Sequence, residues 1–164
     1  MMMRLSGLAG SLMAFAIAFT PAMAGEKISV STSESNEDGA VMRSVNFSGA
    51  CGEECFMASL RCGETGPLEV DLIDVASAVA AKSLSREQSV MILAVGGQKY
   101  EMPVASFTFS EMNGSWDVSA YGPDTDPVFK SFATAKDFTL SVEARREVLP
   151  VTREVKAWAK ACLH

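Results

Sequence analysis

Three of the four cysteines, Cys51, Cys55 and Cys62, fall within twelve positions, and the fourth, Cys162, stands two residues before the last. No other feature restricts the fold so strongly. Such a set is a metal cage, a redox centre or a pair of staples, and the compartment decides which. Met1 to Arg4 carries one positive charge, Leu5 to Phe19 is apolar or small without an acid, and Thr20-Pro21-Ala22-Met23-Ala24 ends in a small-x-small pattern. This predicts a signal peptide over residues 1–24, cleaved after Ala24, and a periplasmic or secreted protein. The apolar run is shorter than the roughly 20 residues that cross a bilayer, and no second one follows, so no membrane span is expected after signal removal. Ser11 in Leu8-Ala9-Gly10-Ser11 stands where a lipoprotein needs its lipid-bearing cysteine, so the chain is not read as a lipoprotein.

In an oxidising compartment an even cysteine count predicts disulfides. A structural zinc site needs four converging Cys or His ligands, and the single histidine is the last residue, His164. A reactive thiolate is disfavoured between Cys51 and Cys55, because Glu53 and Glu54 raise thiol pKa by like-charge repulsion. The expected pairs are Cys51–Cys55 and Cys62–Cys162, with Cys51 or Cys55 to Cys162 as the other connectivities. No metal and no cofactor are expected.

Charge narrows the partners. The chain has 14 basic and 20 acidic side chains. Only Arg4 leaves with the signal, so the formal charge moves from −6 to −7 in the remaining residues. Nucleic acid is excluded on that sign, since phosphate binding rests on cationic neutralisation. A cationic protein partner suits it.

The expected fold class is α+β: an antiparallel sheet of meander-like hairpins, two or three helices, the C-terminal helix packed on the sheet, and disulfide staples. Residues 25–40 are polar without clear periodicity and read as a flexible lead before a single domain over 41–164. Strands are predicted at Val41–Ser48, Cys55–Cys62 and Leu68–Leu72, then an Ala-rich helix capped by Asp74 or Ser77 and running to about Leu84. Val90–Val95, Gly96-Gly97 and Gln98–Val104 form one hairpin; Ser106–Met112, Asn113-Gly114 and Ser115–Tyr121 form a second. Asp126-Pro127 opens a short helix to about Ala135. Phe138–Val142 alternates as a strand, and Thr152 caps a final helix with Val155, Trp158, Ala159 and Cys162 on one face.

No catalytic residue is predicted. There is no Gly-x-Ser-x-Gly elbow, no His-Glu-x-x-His and no phosphate-cradling glycine loop. Glu53 with Glu54, or Asp124 with Asp126, are candidate acid and base for a glycosidase, a role that needs one desolvated carboxyl. Trp116 and Trp158 read as core rather than as a sugar platform.

The Cys-containing turn followed by an alternating strand, and the Val142–Leu163 succession of strand, Leu-Pro-Val-Thr connection and terminal helix, resemble periplasmic proteins of the invasion-associated locus B type. The signal, the staples and the absence of a catalytic set fit an exported, non-catalytic binding or envelope-interaction protein. Cys51-Gly52-Glu53-Glu54-Cys55 is similar in idea to the Cys-bounded reactive loop of inhibitors of vertebrate-type lysozyme. It implies an alternative in which Gly52, Glu53 and Glu54 enter the cleft of a cationic cell-wall hydrolase.

Overall fold

The computed structural model describes residues 27–37, 39–50, 56–63, 67–76, 89–111, 114–122, 126–143 and 145–163. Among them run strands β1 (Ser29–Glu37), β2 (Ala40–Ser48), β3 (Phe56–Gly63), β4 (Leu68–Ala76), β5 (Val90–Val95), β6 (Gln98–Ser110) and β7 (Ser115–Gly122). Helix α1 (Asp126–Thr134), strands β8 (Asp137–Val142) and β9 (Arg145–Pro150) and helix α2 (Arg153–Ala161) complete the described elements. The strands join one sheet in the order β1-β2-β3-β4-β7-β6-β5-β8-β9. Every pairing is antiparallel.

The expected α+β class holds in outline, with strands dominating. The sheet curls into a half-barrel because β6 belongs to two halves. Its first part, Gln98–Pro103, pairs with β5, and the part from Val104 onward pairs with β7 across a register shift between Val104 and Ser106. A bulge of this kind bends a strand and sharpens its twist. The curl brings Phe47 on β2 edge-on to Phe138 on β8, with ring centroids 5.3 Å apart. Alternation supplies the inner wall: Val45 and Phe47, Leu60 and Cys62, Val70 and Leu72, Leu93 and Val95 are all buried.

Both helices fill the hollow. Pro127 sits in the first turn of α1, where its missing N–H has no intrahelical acceptor to lose. Phe129 and Phe132 then point inward and are fully buried. Each such phenylalanine contributes about 1.5–3 kcal/mol through area removed from water. On α2, Val155, Trp158 and Ala159 form the buried face. Phe129 and Phe132 meet Trp158 edge-on at 5.9 and 5.8 Å. Two glycines close the β5–β6 hairpin with φ of +58° at Gly96 and +79° at Gly97, the left-handed geometry that a tight hairpin turn requires.

Three expectations need correction, and one strand is unanticipated. Residues 29–37 are no flexible lead: they form β1, paired through Ser29↔Ser48 to Glu37↔Ala40. Its inward positions are Val30, Thr32 and Glu34, so edge location rather than apolar alternation explains the strand. Arg145–Pro150 is strand β9, which the polar start Arg145-Arg146-Glu147 conceals; Arg145 and Glu147 neutralise each other at 2.6 Å. Asp74 caps no helix, since β4 runs through it to Ala76. It adopts φ +57° at an irregularity in the β4–β7 pairing, and its N–H reaches Asp117 Oδ1 at 3.2 Å. The two middle hairpins are not separate but share the single strand β6. The proposed helix over Ser77–Leu84 lies outside the described residues.

Candidate functional site

Helix α2 lies against β1 and β2, and its placement creates a recess between them. Thr152 starts the helix from an extended backbone, its hydroxyl oxygen accepting from Val155 N at the long distance of 3.5 Å. Trp158 Nε1 donates to the Arg43 carbonyl at 3.0 Å. At the far end, Cys162 is disulfide-bonded to Cys62 on β3, a separation of 100 residues. The helix is thus held at three levels: cap, indole and disulfide.

Along its outer flank runs a groove of about 520 Å³. The sheet wall carries Glu34 and Arg43, paired at 3.4 Å, and the helix wall carries Arg153, Glu154, Ala157 and Ala161. Positions 153, 157 and 161 are spaced by four, so they stack along one helix stripe. Two alanines on that stripe leave the space open. The Glu34–Arg43 pair is too exposed, at 63% and 27% of the side chains, to add more than about 1 kcal/mol. Its carboxylate and guanidinium remain accessible to a ligand. Glu154 sits below its ordinary pKa of 4.5, chiefly because the Thr152 hydroxyl donates to it, helped by its own backbone N–H and by Arg153. Two cationic and two anionic groups therefore face one trough.

A second polar assembly occupies the opposite face of the sheet. Asp71 on β4 accepts from Ser59 at 2.9 Å and from Ser119 at 2.5 Å, one hydroxyl to each carboxylate oxygen. Arg61 lies 2.6 Å from Glu69 and 3.8 Å from Asp71. These residues are cross-strand neighbours: Ser59↔Asp71↔Ser119 form one row and Arg61↔Glu69 the next. Both carboxylates are engaged, so the assembly ties strands together laterally rather than offering a poised acid and base.

Of the sequence-predicted site residues, Cys62 and Cys162 are brought together as a disulfide. Cys51, Gly52, Glu53, Glu54 and Cys55, with the Cys51–Cys55 bond proposed for them, lie outside the described residues. So does Asp124, together with the side chain of Asp126. Trp158 is core, as expected, at 4% exposure. Trp116 is half-buried and leans on Phe109 with centroids 5.4 Å apart. The groove residues Glu34, Arg43 and Arg153 were invisible to sequence reasoning. The available signal was the four-residue spacing of Arg153, Ala157 and Ala161 beside an apolar helix face. Among the described residues no three His, Cys, Asp or Glu side chains gather as a metal site, and no helix is long and apolar enough to cross a membrane. Comparison of the chain with protein-family models, with curated proteins and with solved structures finds no match.

Proposed function

We propose that this is an exported, non-catalytic binding protein of the cell envelope, in keeping with the resemblance to invasion-associated locus B type proteins. Its partner is a protein segment carrying charges of both signs, held in the groove between β1–β2 and α2. The observation that carries this reading is the pairing of Glu34 and Arg43 on one wall with Arg153 and Glu154 on the other. A trough with both signs on facing walls matches a polar extended chain better than it matches a uniformly charged ligand. The disulfide at the end of α2 supports the reading further, because a wall fixed in advance loses little conformational entropy on binding.

Ala157 is exposed on the helix wall, so Ala157→Trp fills the groove without entering the core. Affinity capture from a periplasmic extract with wild-type and Ala157→Trp protein, at equal melting temperature, tests the proposal. Loss of the principal captured protein from the filled variant supports it. Equal recovery of every captured protein by both baits would refute it.

A further inference from the structure

An open sheet has two edges, and this one treats them differently. β9 carries Arg145 and Arg146 and ends in Pro150, devices that discourage a foreign strand from pairing. β1 has none. Between Ser29 and Glu37 there is no proline and no basic residue, and its register with β2 runs without a bulge over nine pairs. Residues 31–36 are exposed. Alternate main-chain N–H and C=O groups of a strand face away from its neighbour, and among the described residues no strand meets this second edge of β1.

We propose that β1 is a dimer interface, pairing antiparallel with β1 of a second copy about a two-fold axis through Ser33. The strand's own sequence selects this partner. Ser33 is the midpoint of the nine residues, so only this register pairs all of them, from Ser29 opposite Glu37 to Glu37 opposite Ser29. It sets Ser31 against Ser35, Ser33 against itself, Thr32 against Glu34 and Val30 against Asn36. No acid faces an acid. Centring the axis one residue later would set Glu34 against Glu34, a like-charge opposition that disfavours pairing. Glu34 is in addition ion-paired within its own molecule by Arg43 at 3.4 Å, which offsets part of its repulsion toward the other copy. The serines of one face meet serines across the axis, so no bulky side chain opposes the approach. An axis perpendicular to the sheet keeps both hollow faces, with their helices, on the same side of one continuous sheet. The grooves of the two copies then flank the shared seam.

Sedimentation velocity on the wild type, on Ser31→Lys with Ser33→Lys, on Ser31→Glu with Ser33→Glu, and on an equimolar mixture of the two variants tests this. The wild type is expected to dimerise with concentration. Each variant should dissociate up to about fivefold more readily, since position 33 then meets its own charge across the axis. The mixture should recover the dimer, because opposite charges then face each other. Amide hydrogen exchange read alongside should slow at residues 29–37 of the wild type as concentration rises. A wild type that stays monomeric with concentration-independent exchange at 29–37 overturns the proposal. So does a dimer that both variants retain, or a mixture of folded variants that does not reassociate.

Discussion

Replacing Trp158 by phenylalanine and by alanine separates the two ways in which it fastens α2. The indole is 4% exposed, packs edge-on against Phe129 and Phe132, and donates to the Arg43 carbonyl at 3.0 Å. Trp158→Phe preserves much of the aromatic contact and removes the donor, a loss of about 1 kcal/mol for a net hydrogen bond. Trp158→Ala removes the ring as well. Large-to-small changes of this type cost about 3–5 kcal/mol, and this site collapses poorly because the disulfide at Cys162 stops α2 from sliding inward. For a domain of this size, 1 kcal/mol moves the melting temperature by about 3–5 °C. The expectation is therefore a drop of a few degrees for phenylalanine and of about 10–20 °C for alanine. Far-UV circular dichroism on heating, repeated with urea at constant temperature, measures both. A Trp158→Ala protein melting within about 3 °C of wild type would show that α2 is peripheral to the core and would refute the reasoning.

Removing the Cys62–Cys162 bond in the double Cys→Ser protein opens a loop of 100 residues, for which the chain-entropy relation gives about 4.7 kcal/mol. An unchanged urea midpoint would contradict that value. Gly96→Ala should cost more than Gly97→Ala: both have positive φ, but a Cβ at Gly96 would lie 2.9 Å from the Ser131 carbonyl oxygen, whereas at Gly97 it meets nothing within 4 Å. Equal melting temperatures for the two variants would deny the close approach of α1 to the hairpin. The Glu154 carboxyl, held below its ordinary pKa of 4.5 by the Thr152 hydroxyl, contributes stability above that pH and loses it as pH falls through the folded value. Glu154→Gln should thus melt below wild type at neutral pH and converge with it in acid. A gap that persists unchanged in acid would exclude the cap interaction.

The sequence exposes those parts of the fold whose local chemistry agrees with their final environment. Gly96-Gly97 and Gly114 mark turns because positive φ is needed there, and α1 and α2 announce themselves through Pro127 and Thr152. The Cys62–Cys162 pairing was legible because Cys162 shares the apolar stripe of α2 with Val155, Trp158 and Ala159. What was missed lies at the edges. Among the described residues β1 and β9 have a neighbouring strand on one side only, so polar residues suffice and periodicity fades. The full length of β6 was hidden for another reason. Pro103 interrupts the pattern where the strand changes partners, and only the curled sheet shows that the interruption is a bend rather than an end. The sheet side of the groove could not be read, since Glu34 and Arg43 come to face Arg153 only when α2 lies across β1 and β2.

The hollow of the half-barrel also has an order in time. Its apolar wall on β2, β3 and β4 belongs to the first half of the chain, whereas Phe129, Phe132 and Trp158, which cover that wall, belong to the second. A chain made from its N-terminus displays the wall before its covering exists, and Cys62 waits for a partner that emerges 100 residues later. Delivering the whole chain unfolded to the place where it folds shortens that interval. Letting the sheet collapse early lengthens it and exposes bare apolar surface to association. A product terminated before α1 is accordingly no smaller domain. It is an uncovered sheet, and a substrate for proteases.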